Sequence, residues 1–422
     1  MKVIIIGGGA AGFFAAIAAA EGHPDLQVSI LEQGPNLLGK VKISGGGRCN
    51  VTHACFEPRE LVKHYPRGGK ALLGPFHRFM TGDTMAWFEA RGVPLKIEDD
   101  GRVFPTSDDS QSIIDCLRQA AQAAGVEIRT RCKVTDLRPP SQPEAPWQVL
   151  TTGGTFSADR VLVASGSNPA TWALLGRLGL RIEVPVPSLF TFNVSDPRLE
   201  ALPGVSVPDA EVQVGDSKLL ASGPLLVTHW GLSGPGVLRL SAWGARELHA
   251  RGYDFDLRVN WRPGQRRADW LAHWQHLRQA QPKKQVRAHP QADLPARLWQ
   301  ALCAQAGVGA QTRWAELTRA QAEALANELA EGQFAVQGKS TFKDEFVTCG
   351  GVALDEVDFR RMASKRLPGL FFAGEVLDID AITGGFNFQA AWTTGWVAGQ
   401  AMGAAEAPPA PNPITHGGPR LS

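Results

Sequence analysis

A chain of 422 residues, 44% of them hydrophobic, carries enough apolar side chains for two or three packed domains. Its formal net charge of +2 sets up no global field that would draw nucleic acid or an anionic membrane, and no run approaches the ~18 apolar residues of a membrane span. The six cysteines, at 49, 55, 116, 132, 303 and 349, show no CxxC and no zinc spacing, which argues against metal and dithiol chemistry and fits scattered thiols in a reducing cytoplasm.

The first predicted element is a buried strand, Val3-Ile4-Ile5-Ile6, running straight into Gly7-Gly8-Gly9-Ala10-Ala11-Gly12. A small-residue helix is predicted over 10–20 and a second strand over 27–31, ending at Glu32-Gln33, with Glu32 twenty residues beyond Gly12. This unit is a dinucleotide-binding fingerprint. Gly7 permits the tight turn, Gly9 has no Cβ to hold a pyrophosphate off the backbone, and Gly12 lets helix and strand pack closely. The helix start at Ala10 and Ala11 offers unpaired N–H groups and a positive dipole end, worth roughly 0.3–1 kcal/mol toward an anion. Glu32 would accept from ribose hydroxyls and disfavour a 2′-phosphate, so the ligand expected is FAD or NAD rather than NADP. A signal peptide is not expected, because glycines break the apolar run and cleavage after Ala20 would destroy the fingerprint.

Lys40 then precedes Ser44-Gly45-Gly46-Gly47-Arg48-Cys49-Asn50, where three glycines in a row suggest backbone approaching a ligand. Lys40 and Arg48 would bring positive charge to a pyrophosphate, and Asn50 offers donor and acceptor to a ring edge; taken alone, the segment also fits a flexible surface loop. Gly101-Arg102-Val103-Phe104-Pro105 follows, a helix is predicted over 110–124 and a strand over 126–137. Residues 147–152 and 155–163 read as a hairpin that feeds a buried strand ending in Ala164-Ser165-Gly166, a small-residue exit beneath a ligand.

From about 188 the pattern changes to short strands at 189–194, 211–214, 218–220, 225–228 and 255–259, with Thr228-His229-Trp230-Gly231 among them. A helical stretch is expected over 266–331, where Trp270, Trp274, Trp299 and Trp314 read as core anchors and the basic runs near Arg262 and Lys283 as solvated faces. Strand signals resume at 345–348 and 369–373. Gly374-Glu375, Asp378 and Gly384-Gly385-Phe386-Asn387 then lead into a helix over 389–402, repeating the strand, glycine loop and helix logic of the N-terminus. The residues after 403 have no periodicity and read as a disordered tail.

Taken together, GGGAAG, KISGGGRCN, DGRVFP, THWGLSGP, TCGGV and AGEVLDIDAITGGFN make the chain similar to a bacterial NAD(P)/FAD-dependent oxidoreductase family that includes aminoacetone oxidase-like and BaiN-type flavoproteins. The resemblance implies an α/β fold: a two-segment Rossmann-like FAD-binding domain (1–187 and 338–403) with an inserted β-barrel-like domain (188–262) and a helical subdomain (263–337), before the tail at 404–422. It implies FAD held by Gly7, Gly9, Ala10, Ala11 and Gly12 at the pyrophosphate and by Glu32 and Gln33 at the ribose. Lys40 and Ser44 to Asn50 would wrap the pyrophosphate and flavin, Val134 would touch the adenine, and Ala164, Ser165 and Gly166 would pass beneath. Gly374, Glu375 and Asp378 would bind the ribityl and phosphate side, and Gly384, Gly385, Phe386 and Asn387 would face the isoalloxazine.

Where relatives have Asn-Val/Leu-Thr-Asn this chain has Asn50-Val51-Thr52-His53, and the usual Ala-Thr-Gly-Gly is Ala164-Ser165-Gly166-Ser167, followed by a stretch lacking the glycines expected there. The expected chemistry is hydride transfer between a small-molecule substrate and flavin N5, with a small amine or α-aminoketone implied by the resemblance and NAD(P)H as a possible transient donor. His229 is the candidate acid-base group, against a plain core or surface histidine, and Arg102 the candidate anion partner, against a structural ion pair. Cys49 and Cys349 read as packing. An RNA-modifying flavoenzyme and a non-catalytic FAD-binding protein are the rival expectations; neither nucleic acid nor a membrane is expected as a partner.

Overall fold

In the computed structural model, which describes residues 1–142, 145–340 and 347–404, the strand Lys2–Ile6 lies at the centre of a parallel sheet. Gln27–Leu31 and then Glu127–Arg129 pair on one side, and Arg160–Val163 and then Leu370–Phe372 on the other. Ile5 stands opposite both Ile30 and Leu162, so the core strands are apolar without alternation, as strands covered on both faces must be. Val357–Asp358 and Ala363–Ser364 finish the far edge with antiparallel pairs. The winding reverses at Lys2–Ile6, and a reversal of this kind opens a crevice at the carboxyl ends of the strands.

The helix Ala10–Gly22 is buried from Ala11 to Ala20, because the last helix, Phe386–Gly403, lies against it. Glycine makes that approach possible. A Cβ on Gly395 would stand 2.7 Å from the Ala11 carbonyl oxygen, and one on Gly399 2.5 Å from that of Ala15. Phe13 and Phe14, both fully enclosed, contribute roughly 1.5–3 kcal/mol each by leaving water.

The strand predicted over 126–137 is two strands, Glu127–Arg129 and Val134–Arg138. Arg131 takes a positive φ of 53°, its amide donates to Gly34 and that of Cys132 to Glu32, so the chain leaves the parallel sheet and starts a separate meander with Trp147–Thr151 and Gly154–Ala158.

The inserted segment forms a second, antiparallel sheet in which Ser206–Val214, Leu220–Thr228 and Asp254–Asn260 are the long strands. Residues 218–220 are not a strand of their own but lead into Leu220–Thr228. The sheet closes on itself at Gly338, whose amide donates to Tyr253 on one edge strand's side while its carbonyl accepts from Asn193 on the other. Gly332–Gln337, placed by sequence at the end of the helical stretch, is one of the closing strands, paired with Asp254–Asn260. Arg267–Ala280, Ala296–Gln305 and Arg319–Glu331 supply the helices, and Trp270, Trp274, Trp299 and Trp314 are buried in the core these helices share with the second sheet. The expected strand at 345–348 is seen from Val347 onward as Val347–Val352, while Glu345 and Phe346, like 405–422 of the expected tail, lie outside the described residues.

Two ion pairs lie where the inserted segment meets the parallel-sheet domain: the Arg246–Asp378 pair crosses between them, and the Arg67–Asp380 pair, itself outside the insert, reaches it through Ala242 and Ser188. Asp378 accepts both oxygens' worth of hydrogen bonds, at 2.8 Å, from Arg246. Asp380, with no exposed surface, takes both arms of Arg67, which also donates to the Ala242 carbonyl, and Ser188 donates to the same carboxylate at 2.8 Å.

Candidate functional site

The fingerprint turn is built by collisions that only glycine avoids, and by one opening. A Cβ on Gly7 would lie 2.4 Å from the Ala164 carbonyl, and one on Gly12 2.0 Å from that of Gly7, so both glycines are required by the protein itself. At Gly9 the same atom meets nothing within 4 Å. No side chain caps the helix there and no acid occupies its first turn, so the amides of Ala10 and Ala11 face an opening. Glu32 is already engaged, accepting from the Gly8 amide and the Gly34 amide at 2.8 Å each, and this pins the turn to the second strand. Gln33 is exposed beside Asn168.

The glycine-rich loop lines the same opening. Gly45, Gly46 and Gly47 have φ of 57°, 68° and 86°; Gly45 is pressed against Asn50 and Phe104, whereas a Cβ on Gly46 or Gly47 would enter empty space. Ser44 donates to Val41. Cys49 is fully buried and burial pushes its thiol up to about 12, so it packs and does not ionise. Cys349 is likewise buried, its thiol pushed up to about 11 by burial. Arg48 pairs with Glu98 at 2.6 Å and lies 3.9 Å over the Phe104 ring, so its charge is engaged within the protein. Lys40 instead pairs with Glu375, a residue from the far end of the chain.

Gly166 stands near the same Glu375 carboxylate, and Ala164 continues the sheet by donating to Ile6. The Ser165 hydroxyl is buried and has no hydrogen-bond partner among the described residues. Gly374 donates to Thr394. Val134 pairs with Thr151 in the meander.

At the other end of the crevice the two glycine loops meet. With its side-chain nitrogen turned to the Thr52 carbonyl at 2.9 Å, Asn50 accepts from the Gly385 amide at 3.0 Å. Gly384 and Gly385 have φ of 126° and 94° and introduce the helix Phe386–Gly403, again without a side-chain cap. Asn387, which the resemblance places facing the isoalloxazine, has its side-chain amide both accepting from and donating to the backbone of Ala381. Asp378, expected on the ribityl and phosphate side, is held by Arg246 at 2.8 Å.

Sequence reasoning missed residues 64–68, which form the wall opposite this loop. The His64 carbonyl accepts from Ile382, Tyr65 donates to Phe386 at 2.6 Å, and Arg67 holds Asp380. The His64 ring stacks on Phe386 at 4.2 Å, and His53 donates through Nδ1 to the Gly384 carbonyl at 3.1 Å. Burial lowers both imidazoles; the Gly384 carbonyl and Asp100 partly oppose this at His53, while His53 and Arg239 add to it at His64. Gln389, fully buried, accepts from Thr52 and Thr84 and donates to Thr393. The visible signals were a Pro66-Arg67-Gly68-Gly69 turn and the Asp-x-Asp spacing of 378 and 380.

The two proposed reacting side chains fall elsewhere. Arg102 pairs with Asp100 at 2.7 Å and with Glu98 at 3.2 Å, the ion-pair alternative of the sequence reading. His229 is exposed at the turn between Leu220–Thr228 and Gly231–Ser233, on a cavity of about 350 Å³ walled entirely by residues 193–231 and Gln337. The crevice residues are not among its walls. Among the described residues no group of His, Cys, Asp or Glu could hold a metal, and no helix is long and apolar enough to cross a membrane.

Open space over Gly9, Gly46 and Gly47, an unpartnered buried hydroxyl at Ser165 and two uncapped helix starts fit an extended dinucleotide with an anionic middle. Fold and crevice are those of a Rossmann-type flavoprotein: FAD is the cofactor and the chain is an FAD-dependent oxidoreductase. The HI0933-like protein Rossmann domain model matches residues 1–401, and the chain belongs to that family.

Two relatives are equally similar. The ribosomal RNA dihydrouridine synthase of Escherichia coli is 29% identical over 415 residues, 96% of this chain and 98% of that protein. The 3-dehydro-bile acid delta(4,6)-reductase of Clostridium scindens is 29% identical over 429 residues, 96% of this chain and all of that protein at 100%. Among solved structures, the 3-ketosteroid-delta4-(5alpha)-dehydrogenase of Rhodococcus jostii shares the fold with a TM-score of 0.51 at 14% identity, covering 96% of this chain and 97% of that one.

Proposed function

We propose that the protein reduces a carbon–carbon double bond conjugated to a carbonyl, with FAD lying from the fingerprint turn to the Gly384–Gly385 loop. The amides of Ala10, Ala11 and Gly12 and the backbone of Gly46 and Gly47 would bind the pyrophosphate, Glu32 and Gln33 the ribose edge, and Ser165, Gly166, Lys40 and Glu375 the middle of the cofactor. When bound, FAD supplies a two-electron centre that NAD(P)H can fill. The observation that carries the reading is His64: stacked on Phe386 at 4.2 Å and beside an uncapped helix start, its ring makes no hydrogen bond among the described residues.

His64 would hold a proton for the carbon next to the substrate carbonyl, complementing a hydride delivered to the carbon beyond it. The Phe386 ring fixes the plane of His64, and Tyr65 fixes Phe386 through its carbonyl. The uncapped amides at 386 and 387 favour negative charge developing near them. The names of both relatives describe hydrogen added across such a bond, in a uracil ring in one and in a 3-oxo bile acid in the other. A small carbonyl compound or a uracil ring therefore fits these names better than oxidation of an amine.

The test is anaerobic. Photoreduced protein is mixed with cyclohexenone, a 3-oxo-4-ene steroid and uridine, and oxidised protein with aminoacetone, while the flavin absorbance is followed. Return of the oxidised flavin band with an enone or uridine, slowed at least about tenfold in His64→Asn, is expected. Bleaching by aminoacetone with no reoxidation by any unsaturated carbonyl would overturn the reading.

A further inference from the structure

The near-neutral net charge conceals a strong asymmetry. Residues 262–319 carry ten Lys or Arg against three carboxylates, Asp269, Asp293 and Glu316, a net of +7, so the remainder of a chain whose total is +2 carries −5. Only two of those ten are neutralised: among the described residues the ion pairs of this segment are those of Arg267 and Arg319 with Glu323.

Five of the others are drawn to one place by the backbone. The Ala315 amide donates to Pro282 at 3.1 Å, the Trp314 amide to Lys284 at 3.0 Å and the Val286 amide to Thr312 at 2.9 Å, with Gln285 and Arg313 paired antiparallel. This short ribbon carries Lys283, Lys284, Arg287 and Arg313, and Arg278 reaches it by donating to the Ala315 carbonyl at 3.4 Å. Arg278, Lys283, Lys284 and Arg313 are exposed and Arg287 is half-buried. The ribbon is stiff, because Trp314 beneath it is fully buried and stacks on Trp274 at 5.3 Å.

We propose that this ribbon of the helical subdomain is an RNA-docking surface that grips the phosphate backbone. A preorganised cluster of cations without ion-pair partners among the described residues, with Glu316 engaged by the Arg313 amide and none of the large exposed apolar side chains among the described residues between 262 and 319, suits a polyanion. RNA is favoured over a membrane because the patch has no apolar rim to insert, and because a uracil ring is the conjugated double bond that RNA offers. The inference deepens the reductase reading by naming the carrier of the substrate, yet binding and redox chemistry are measured separately.

The experiment uses the full-length holoprotein and a fluorescein-labelled RNA stem-loop with a uridine-rich loop, titrated from low to moderate salt, beside phosphatidylglycerol vesicles. Wild type should bind the RNA with a salt slope near −3 to −4, about 0.7–0.9 per phosphate contact. Lys283→Glu/Lys284→Glu/Arg313→Glu should weaken it at least about tenfold and flatten the slope, with FAD content and reoxidation by cyclohexenone unchanged, while Arg118→Glu on the Rossmann part should bind as wild type. Equal affinity of the triple variant, or binding to vesicles and not to RNA, would overturn the proposal. Failure of cyclohexenone to reoxidise the flavin while RNA binding persists would strike the reductase reading alone.

Discussion

The two helix starts that meet in the crevice use glycine for opposite purposes. At the first, Gly9 has ordinary backbone and faces vacant space, so the missing Cβ serves whatever enters. At the second, a Cβ on Gly385 would lie 2.5 Å from the Thr52 carbonyl, and Gly384 is confined by the Phe386 ring, so there the missing Cβ serves the protein's own loop. One repeated pattern of strand, glycines and helix thus encodes a ligand requirement at one end and a folding requirement at the other.

Substitution separates the two. Gly9→Val is expected to abolish retention of FAD through purification, read from the visible spectrum, while the melting of the apoprotein changes by no more than about 0.5 kcal/mol. Full FAD occupancy in that variant would mean the pyrophosphate lies elsewhere. Gly385→Val should act the other way round, destabilising the apoprotein itself by about 3 kcal/mol or more through a positive φ of 94° and the Thr52 collision, seen in urea denaturation without cofactor. Apoprotein as stable as wild type would erase the distinction. A milder probe of the same loop is Asn387→Ala, which removes both hydrogen bonds to Ala381 and should lower stability by roughly 1–3 kcal/mol. If it changes only the flavin spectrum and not stability, the amide faces the cofactor after all.

What the sequence made legible follows the same division. Gly7, Gly12, Glu32 and the Lys2–Ile6 strand belong to one short strand–turn–helix–strand unit, so local pattern was enough to place them, although what confines Gly7 is the distant Ala164. Long-range pairing was not readable: Arg48 meets Glu98, Asp378 meets Arg246, and Arg67 meets Asp380, and each removes a charge that sequence alone assigned to a ligand or did not notice. His229 lines a cavity whose walls do not include the crevice residues, and a glycine- and Trp-containing turn looks the same in sequence in either setting. Whole-chain net charge is silent on distribution: the positive residues gather at 262–319, where sequence alone reads the basic runs as solvated faces.

The smallest expected effect concerns pH and belongs to the second helix start alone, where His53 and His64 flank Phe386. Burial lowers both imidazoles from 6.5, so the folded state favours their neutral forms more than the unfolded chain does. Above about 6.5 neither state holds the protons and this contribution to stability is complete; as the pH falls below it the unfolded chain binds them first, and stability drains until the lowered folded values are passed. Melting of the apoprotein should therefore decline between neutral pH and mildly acid pH, and the decline should shrink in His53→Asn and again in His53→Asn/His64→Asn. Protection of the 381–386 amides from hydrogen exchange should fall in the same window, because the His64 carbonyl and the His53 ring both hold that loop. A double variant that melts with the wild-type acid slope would locate the sensitivity in other groups and leave His64 without the shifted, ligand-ready environment on which its proton-holding role depends.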